Sequence, residues 1–373
     1  MAPLQVTVDA IALTDASAYR GMGTYVRQLV RSLALRDDVR LTAITDDASV
    51  LPAGIRSVTV RRAWMRRWQR AGHDCALPLA LRRAAIGTST DVVLAPAHVP
   101  PWHSPAPYVA TIHDLVPLVD DDPGTGYERR ALQRAATRYR KAAAIIAVSD
   151  HTREQAIALL DVAPERITTI HHGIDPAYTP GPSTGSPGDY LLMVGEVDPR
   201  KRHDRAFAIV GELARRGRPL PLKVTGRIAP WREAELRALV AAAPRPDLVE
   251  LLGYVGKAEL LDLYRGARAL LVTSSHEGFG FPALEAMASG CPVVSFANSA
   301  TPEVLGDAGI AITDGDIRAA ADAVERVIDD AVLRAGTVAA GIAQAARFSW
   351  AVAADAHVDV LRRASQGAHG KSG

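Results

Sequence analysis

This chain of 373 residues is poor in cysteine, in aromatic residues and in net charge. Its two cysteines, Cys75 and Cys291, are too few for a disulfide framework or a cysteine-rich metal site, which fits a reducing cytoplasm. A net charge of +2 gives no support for a nucleic-acid partner. No apolar run approaches the roughly 18 residues of a spanning helix, and the N-terminus lacks the basic start of a signal peptide. We therefore expect a soluble, cytoplasmic protein.

Apolar strand-like runs alternate with segments of helical periodicity along most of the chain. One series of runs extends from residue 5 to 171 and a second from 190 to 313. Such alternation is typical of parallel sheets. Residues 181–189 are rich in Pro, Gly and Ser and have little to bury, so we interpret them as a linker. The sequence predicts an α/β fold of two doubly wound, Rossmann-like domains, residues 1–180 and 190–349, with the ligand in the cleft between them.

The most informative motif places two carboxylates, Glu277 and Glu285, around a glycine-rich loop that runs into a helix. Gly278 and Gly280 allow backbone N–H groups to approach an anion, and the helix dipole favours negative charge there. The carboxylates remain as acceptors for hydroxyl groups. On the motif alone, a tight turn with a capping carboxylate is the alternative interpretation.

The longer segment from Ser274 to Ile310 resembles the donor-binding segment of the retaining GT-B glycosyltransferases of family 4. It includes the runs Glu285-Ala-Met-Ala-Ser-Gly-Cys-Pro-Val-Val294 and Thr301-Pro-Glu-Val-Leu-Gly-Asp-Ala-Gly309. The resemblance extends, with varying strength, from Val6 to about Arg363. It implies two GT-B domains around a nucleotide sugar, with a helix at 350–364 returning to the first domain. Residues 365–373 are expected to be a disordered tail.

The resemblance also implies roles for individual residues. Glu285 would hold the ribose hydroxyls, and Glu277 would contact the donor sugar. The diphosphate would be held by two cations, Arg200 and Lys201, and by the backbone of four loop residues, Gly278, Phe279, Gly280 and Phe281. Cations can stabilise a departing diphosphate without a metal, so no metal is expected. A solvated helix start is the alternative interpretation of these cations. Some family members carry an arginine just after the glycine, at the position that is Glu196 here.

Further candidates lie at other strand ends and loops. The resemblance places His113 at the donor sugar, although a histidine at a strand end is often structural. Gly23 would approach the diphosphate or the acceptor, but a plain tight turn explains its loop equally well. The base is expected near three residues that do not distinguish guanine from uracil, Arg227, Tyr254 and Val255.

The resemblance implies glycosyl transfer with retention of configuration and without a covalent intermediate. The segments Thr111–Leu115 and Thr301–Val304 look most like bacterial enzymes that add mannose during polysaccharide synthesis. We therefore expect GDP-mannose as donor, a saccharide or glycoconjugate as acceptor, and no cofactor. Transfer from a UDP-hexose is the alternative, and a nucleotide-sugar 2-epimerase of the same fold is a less favoured one. A nicotinamide dehydrogenase is disfavoured because the loop at Gly21 and Gly23 lacks a third glycine.

Two segments suggest partners only weakly. Arg61 to Arg70 is basic and aromatic and could touch a membrane surface or an anionic acceptor, but an ordinary packed helix is the favoured interpretation. Asp120-Asp121-Asp122 formally matches a metal-binding Asp-x-Asp, yet we interpret it as solvated loop. Acceptor, linkage and oligomeric state do not follow from the sequence.

Overall fold

The computed structural model describes residues 2–60, 77–84, 89–97, 99–119, 126–181 and 188–369, with the backbone alone at 126–128 and 368–369. Cys75 and the segments Arg61 to Arg70 and Asp120 to Asp122 lie outside these ranges. The chain forms two compact units. The first comprises Met1–Gly173 with Ser349–Gly373, and the second comprises Ile174–Phe348.

The first unit is a parallel sheet of seven strands in the order β3-β2-β1-β4-β5-β6-β7. The strands are β1 Leu4–Asp9, β2 Val39–Thr45, β3 Arg56–Thr59, β4 Val92–Ala95, β5 Tyr108–Ile112, β6 Ala144–Ala147 and β7 Ile167–Thr169. The helices with described bounds are Gly21–Ala34, Val116–Val119, Gly126–Lys141, Asp150–Leu160 and Trp350–His369.

The second unit is a parallel sheet of six strands in the order β10-β9-β8-β11-β12-β13. The strands are β8 Leu191–Val194, β9 Leu222–Thr225, β10 Val249–Gly253, β11 Ala269–Val272, β12 Val293–Phe296 and β13 Ile310–Ile312. The helices are His203–Arg215, Glu233–Ala241, Lys257–Gly266, Phe281–Ala288, Thr301–Leu305, Ile317–Asp329 and Ala331–Ala345.

Each sheet is covered by helices, which explains why its central strands are apolar on both faces. Strands β4 and β12 are buried at every position. The helix His203–Arg215 packs its apolar stripe, spaced three and four residues apart, into the core of the second unit, with Ala206, Phe207, Val210 and Leu213 buried. The α/β fold of two doubly wound sheets predicted from the sequence is confirmed.

The strand order reverses between β1 and β4 in the first sheet, and between β8 and β11 in the second. In open parallel sheets, ligands bind outside the carboxyl ends of the strands at such reversals. The loops that follow β8 and β11 are therefore the first place to look for a site in the second unit, and those after β1 and β4 in the first.

Three features differ from the sequence prediction: residues 174–180, Ser349, which belongs to the first unit, and the end of the last helix. Residues 174–180, assigned to the first domain, belong to the second unit. This segment makes its contacts with the second unit, because the Thr179 carbonyl accepts a hydrogen bond of 3.0 Å from Arg265 and Asp175 pairs with Lys257. The last helix continues to His369, so the expected disorder from Ser365 is wrong for residues 365–369. Among the described helices, none has both the length and the apolar character that crossing a bilayer requires.

Candidate functional site

The principal cluster of charged residues lies where β8 and β11 end side by side. These strands pair in parallel, with Ala269 opposite Leu191. After β8 the chain forms the short 3₁₀ turn Pro199–Lys201, and after β11 it forms the loop that begins at Thr273. The Thr273 hydroxyl donates 2.9 Å to the Lys201 carbonyl oxygen. Parallel strand pairing therefore brings together two loops that are far apart in sequence.

A buried ion pair lies at the centre of this cluster. The Nζ of Lys201 is 2.6 Å from Oε1 of Glu277, and each residue is 7% exposed. The same carboxylate oxygen accepts a 2.6 Å hydrogen bond from the Ser274 hydroxyl. Arg200 is 25% exposed at its side chain, and it lies 3.4 Å from Oε2 of Glu277 and donates 3.0 Å to the His276 carbonyl. The structure thus unites three predicted site residues, Arg200, Lys201 and Glu277.

The surroundings keep this carboxylate ionised. Burial alone would raise the pKa of Glu277, but the cations of Lys201 and Arg200 and the hydrogen bonds from Lys201 and Ser274 lower that pKa from 4.5 to about 2. Burial lowers the pKa of Lys201, and the negative charge of Glu277 opposes that shift. A carboxylate held in this way can accept hydroxyl hydrogen bonds at any physiological pH.

Two glycines make room for the lysine. A Cβ on Gly195, at the end of β8, would lie 3.0 Å from Cε of Lys201 and 3.4 Å from its Nζ. A Cβ on Gly226, at the end of β9, would overlap the carbonyl oxygen of Gly195. The backbone at these strand ends therefore packs closely, and the Lys201 side chain lies against it on its way to Glu277.

The glycine-rich loop ends at the amino terminus of the helix Phe281–Ala288. Gly280 is the N-cap residue with φ +106°, a conformation that favours glycine, and Pro282 occupies the first turn. Phe279 is buried, and its ring packs edge-on against Phe281 and Phe348, with centroids 5.4 and 5.8 Å away. The aromatic packing shapes the loop, so Phe279 can offer only its backbone to a ligand. The helix dipole favours an anion at this point.

The second carboxylate of the motif lies further along the same helix in a different environment. Oε2 of Glu285 accepts a 2.9 Å hydrogen bond from the Tyr264 hydroxyl, and Tyr178 also hydrogen-bonds to it. Burial raises the pKa of Glu285 to about 7, while the two tyrosine hydrogen bonds act in the opposite direction. Lys257 pairs with Asp175 at 2.6 Å and, together with Tyr178, lines an adjacent pocket. Glu285 is therefore poised to gain or lose a proton near neutral pH.

The three residues expected near the base follow strands on the side of β8 that is opposite to the Lys201–Glu277 cluster. Arg227 follows β9, and Tyr254 and Val255 follow β10, and these strands lie beside β8 on the side away from β11. Arg227 is exposed, its carbonyl accepting a 3.1 Å hydrogen bond from Val197, and Tyr254 is 60% exposed. All three belong to the carboxyl edge of the sheet, and their role as base contacts remains a prediction.

In the first unit, His113 follows β5 and is held by its own domain. Its Nε2 lies 2.7 Å from the Pro96 carbonyl oxygen, which can only accept, so Nε2 carries a proton. The ring packs edge-on against Tyr25 at 4.8 Å and lies 5.8 Å from His172. These contacts fix the orientation of the half-buried imidazole. Its predicted contact with a sugar remains a prediction.

Gly23 has a structural explanation of its own. It is buried in the first turn of the helix Gly21–Ala34, and a Cβ there would overlap the backbone of Ser17 and Ala18 in the preceding 3₁₀ turn. Glycine is therefore required by local packing. Whether its backbone also approaches a ligand remains a prediction.

Sequence reasoning missed four residues that hold Glu277 and Glu285 in place. The Ser274 hydroxyl donates to the Glu277 carboxylate, and the Ser299 hydroxyl accepts from the Glu277 backbone N–H. Tyr178 and Tyr264 bond to the Glu285 carboxylate. The serines could have been found, because both closely follow buried strands and so lie at the carboxyl edge. The tyrosines have no comparable signal, since Tyr264 lies within a helix and Tyr178 in a loop far away in sequence.

Comparisons with known proteins identify the family of the chain. Residues 19–178 match the family model Glycosyltransferase Family 4, and residues 183–344 match Glycosyl transferases group 1. O-antigen chain mannosyltransferase B of Escherichia coli is 32% identical over 219 residues, which cover 55% of this chain and 57% of that protein. D-inositol 3-phosphate glycosyltransferase of Kineococcus radiotolerans is 30% identical over 261 residues, with 60% and 57% covered. The aligned region thus spans little more than half of each relative.

Among solved structures, sucrose-phosphate synthase from Thermosynechococcus elongatus superposes with a TM-score of 0.79 at 18% identity. The alignment covers 96% of this chain and 98% of that one. At this level of identity the likeness concerns the fold alone.

Proposed function

Because this chain belongs to the glycosyltransferases of the GT-B fold, with a family 4 domain followed by a group 1 domain, we propose that it transfers mannose from GDP-mannose to a saccharide or glycoconjugate acceptor. The observation that carries the proposal is the Lys201–Glu277 pair at the β8/β11 reversal, next to a glycine-capped helix amino terminus. Cations and backbone N–H groups at one edge suit a diphosphate, and the neighbouring carboxylates suit sugar hydroxyls.

In this proposal, Lys201 and Arg200 stabilise the negative charge that develops on the diphosphate as it leaves. Lys201 is 7% exposed and lies in a region of low dielectric, where its charge acts more strongly than it would in water. The backbone of Gly278 to Phe281 supplies further donors. Glu285 accepts from the ribose hydroxyls in exchange for one of its tyrosine partners.

Glu277 orients the donor sugar. Its Oε1 already accepts from Lys201 and Ser274, whereas Oε2 has, among the described residues, only the longer, 3.4 Å contact to Arg200. Oε2 is thus the oxygen best placed to accept a sugar hydroxyl. Because Lys201 at 2.6 Å and Ser274 already occupy Oε1, this carboxylate is a poor nucleophile, which argues against a covalent intermediate through Glu277. Retention of configuration is proposed from the family resemblance alone.

The choice of mannose rests on the O-antigen mannosyltransferase similarity, together with the Thr111–Leu115 and Thr301–Val304 segments. The similarity to a D-inositol 3-phosphate glycosyltransferase, at nearly equal identity and with no mannose in its name, supports a second candidate, transfer of another hexose. For that candidate we expect a UDP-sugar as donor. The exposed Arg227 and Tyr254 would face the base in either case, and neither side chain selects between guanine and uracil.

A thermal-shift panel tests the proposal, because a ligand that binds only the native state raises the melting temperature. GDP, UDP, GDP-mannose and UDP-glucose are compared at equal concentration. We expect the largest shift with GDP-mannose, and a larger shift with GDP than with UDP. A larger shift with UDP-glucose would favour the second candidate, and no shift with any of the four would overturn donor binding.

Transfer itself is tested with GDP-mannose and octyl α-mannoside, with product identified by mass and its anomeric configuration by NMR. A new α-mannosidic bond is the expected result, and a β-linked product would contradict retention. Omitting the mannoside separates transfer from 2-epimerisation, because an epimerase converts the donor without any acceptor. A cytoplasmic location, independence of metal and weak membrane contact remain predictions.

A further inference from the structure

Glu277 is enclosed by a ring of hydrogen bonds that the loop after β12 completes. The backbone N–H of Glu277 donates 2.8 Å to the Ser299 hydroxyl, which donates 3.1 Å to Oδ1 of Asn298. The Asn298 side-chain amide donates 2.9 Å to the Ser274 carbonyl, and the Ser274 hydroxyl returns to Glu277 Oε1 at 2.6 Å. The ring therefore fixes both the backbone and the side chain of Glu277.

The ring is anchored to the rest of the second unit. The second amide hydrogen of Asn298 is donated over 2.8 Å to Asp314, and Asp314 pairs with Arg205 at 2.6 Å. The Glu277 carbonyl oxygen accepts a 3.3 Å hydrogen bond from Ala300. Because β12 pairs in parallel with β11, the loops after these two strands are neighbours at the carboxyl edge. The Asn298–Ser299 turn is thus held from outside the Glu277 loop.

The backbone of the turn is strained at the residue that touches Glu277. Ser299 has φ +48°, one of three non-glycine residues with positive φ among the described parts of the chain. A side chain with a Cβ is disfavoured in this left-handed region. Such conformations persist where the surrounding contacts over-determine them, and they cluster at functional sites. Glycine would fit the backbone better, so the hydroxyl is what serine adds at this position.

We infer that Asn298 and Ser299 are positioning residues that aim the Glu277 carboxylate at the donor sugar, an inference that rests on the proposed function. They act through Glu277 and touch neither diphosphate nor ribose in this scheme. Loss of either side chain should therefore weaken binding of the sugar while leaving binding of the nucleotide unchanged. A merely structural role would weaken both together.

The test uses calorimetry to compare the Kd of GDP with the Kd of GDP-mannose. The same comparison is repeated with UDP and UDP-glucose. Binding measurements of this kind need no acceptor. The variants are Ser299→Gly, which removes the hydroxyl but suits the positive φ, and Asn298→Asp, which replaces the amide donor with an acceptor. Ser295→Ala is the control, since Ser295 is buried on β12 and its hydroxyl only donates to the Phe296 carbonyl.

We expect Ser299→Gly and Asn298→Asp to raise the Kd of the nucleotide sugar about tenfold and that of the nucleotide by less than twofold, with Ser295→Ala unchanged. In Glu277→Ala, adding Ser299→Gly should cause no further loss, because the two residues act as one unit. Equal losses for nucleotide and nucleotide sugar, or a further loss in the double variant, would overturn the inference.

Failure of the proposed function is distinguishable from failure of the inference. If Glu277→Ala binds the nucleotide sugar as tightly as the parent, Glu277 does not orient the sugar, and the proposed function loses its sugar contact. If Glu277→Ala loses affinity while Ser299→Gly and Asn298→Asp do not, only the positioning role is wrong. Melting temperatures of all variants check folding, and relief of the positive φ in Ser299→Gly is expected to offset part of the loss of its two hydrogen bonds and to keep its melting temperature close to the parent value.

Discussion

Replacing Lys201 with methionine should destabilise the second unit far more than the loss of a surface charge would. The substitution keeps an unbranched chain one atom shorter than lysine and leaves the Glu277 carboxylate buried without its main counter-charge. Breaking a buried pair by removing one partner costs about 3–5 kcal/mol. The pKa of Glu277 gives a consistent figure, since a shift from 4.5 to about 2 corresponds to about 3 kcal/mol.

The sign of the pH dependence follows from the same shift. Because the pKa of Glu277 is lower in the folded state, its stabilising contribution is present above about pH 4.5 and is lost as the pH falls toward 2. In Lys201→Met this loss of stability on acidification should be much smaller, since the cation that lowers the pKa of Glu277 is gone. The double variant Lys201→Met/Glu277→Gln removes both charges and should recover at least half of the lost stability.

The assay must report on the second unit by itself, because a chain of two units need not unfold in one step. Hydrogen–deuterium exchange of peptides covering strand β11, Ala269–Val272, meets that need. Arg202→Met is the matched control, because Arg202 pairs with Asp204 at 2.8 Å on the surface and should cost less than 1 kcal/mol. If Lys201→Met exchanges no faster than Arg202→Met, the ion pair is not the buried, coupled unit described above.

Three further predictions concern ligand binding and the first unit. The affinity for GDP should rise with pH through about 7, because the ribose hydroxyls donate to ionised Glu285, and calorimetry from pH 5.5 to 8.5 should show no such rise in Glu285→Gln. Gly195→Ala should weaken the affinity for GDP at least fivefold, because the added Cβ displaces Lys201. Gly336 has open space around it, so Gly336→Ala should bind GDP as the parent does. Tyr25→Phe should lower the free energy of unfolding of the first unit by about 1–2 kcal/mol, because the Tyr25 hydroxyl bonds to the buried imidazole of His357 on the last helix. Hydrogen–deuterium exchange of β5 measures this loss, and an unchanged exchange rate would contradict the prediction.

The sequence was sufficient for the fold and for the proximity of Arg200, Lys201 and Glu277, because both depend on local patterns. Buried strands of parallel sheets are short apolar runs, and the residues that follow them must reach the carboxyl edge. That reasoning places Lys201 and Glu277 on one edge before any contact is known. The glycine-rich loop could be predicted to lead into a helix, because the conformational preferences of Gly280 and Pro282 do not depend on the rest of the chain.

The remaining features depend on contacts between distant segments, which no local pattern specifies. Tyr178 was assigned to the first domain because it precedes the predicted linker, yet it belongs to the second unit and its hydroxyl bonds to Glu285. The pKa values of Glu277 and Glu285 diverge because one carboxylate faces a lysine and the other two tyrosines. The last helix extends beyond its predicted end, since small and polar residues at 365–369 neither favour nor prevent another turn.

The most direct test of the central claim is a crystal structure of the protein soaked with GDP-mannose. The account predicts the diphosphate within hydrogen-bonding distance of the backbone N–H groups of Gly278 to Phe281 and of Lys201, with Glu277 on a sugar hydroxyl and Glu285 on the ribose. A nucleotide sugar bound elsewhere on the second unit, with these groups still bonded only to one another, would contradict it.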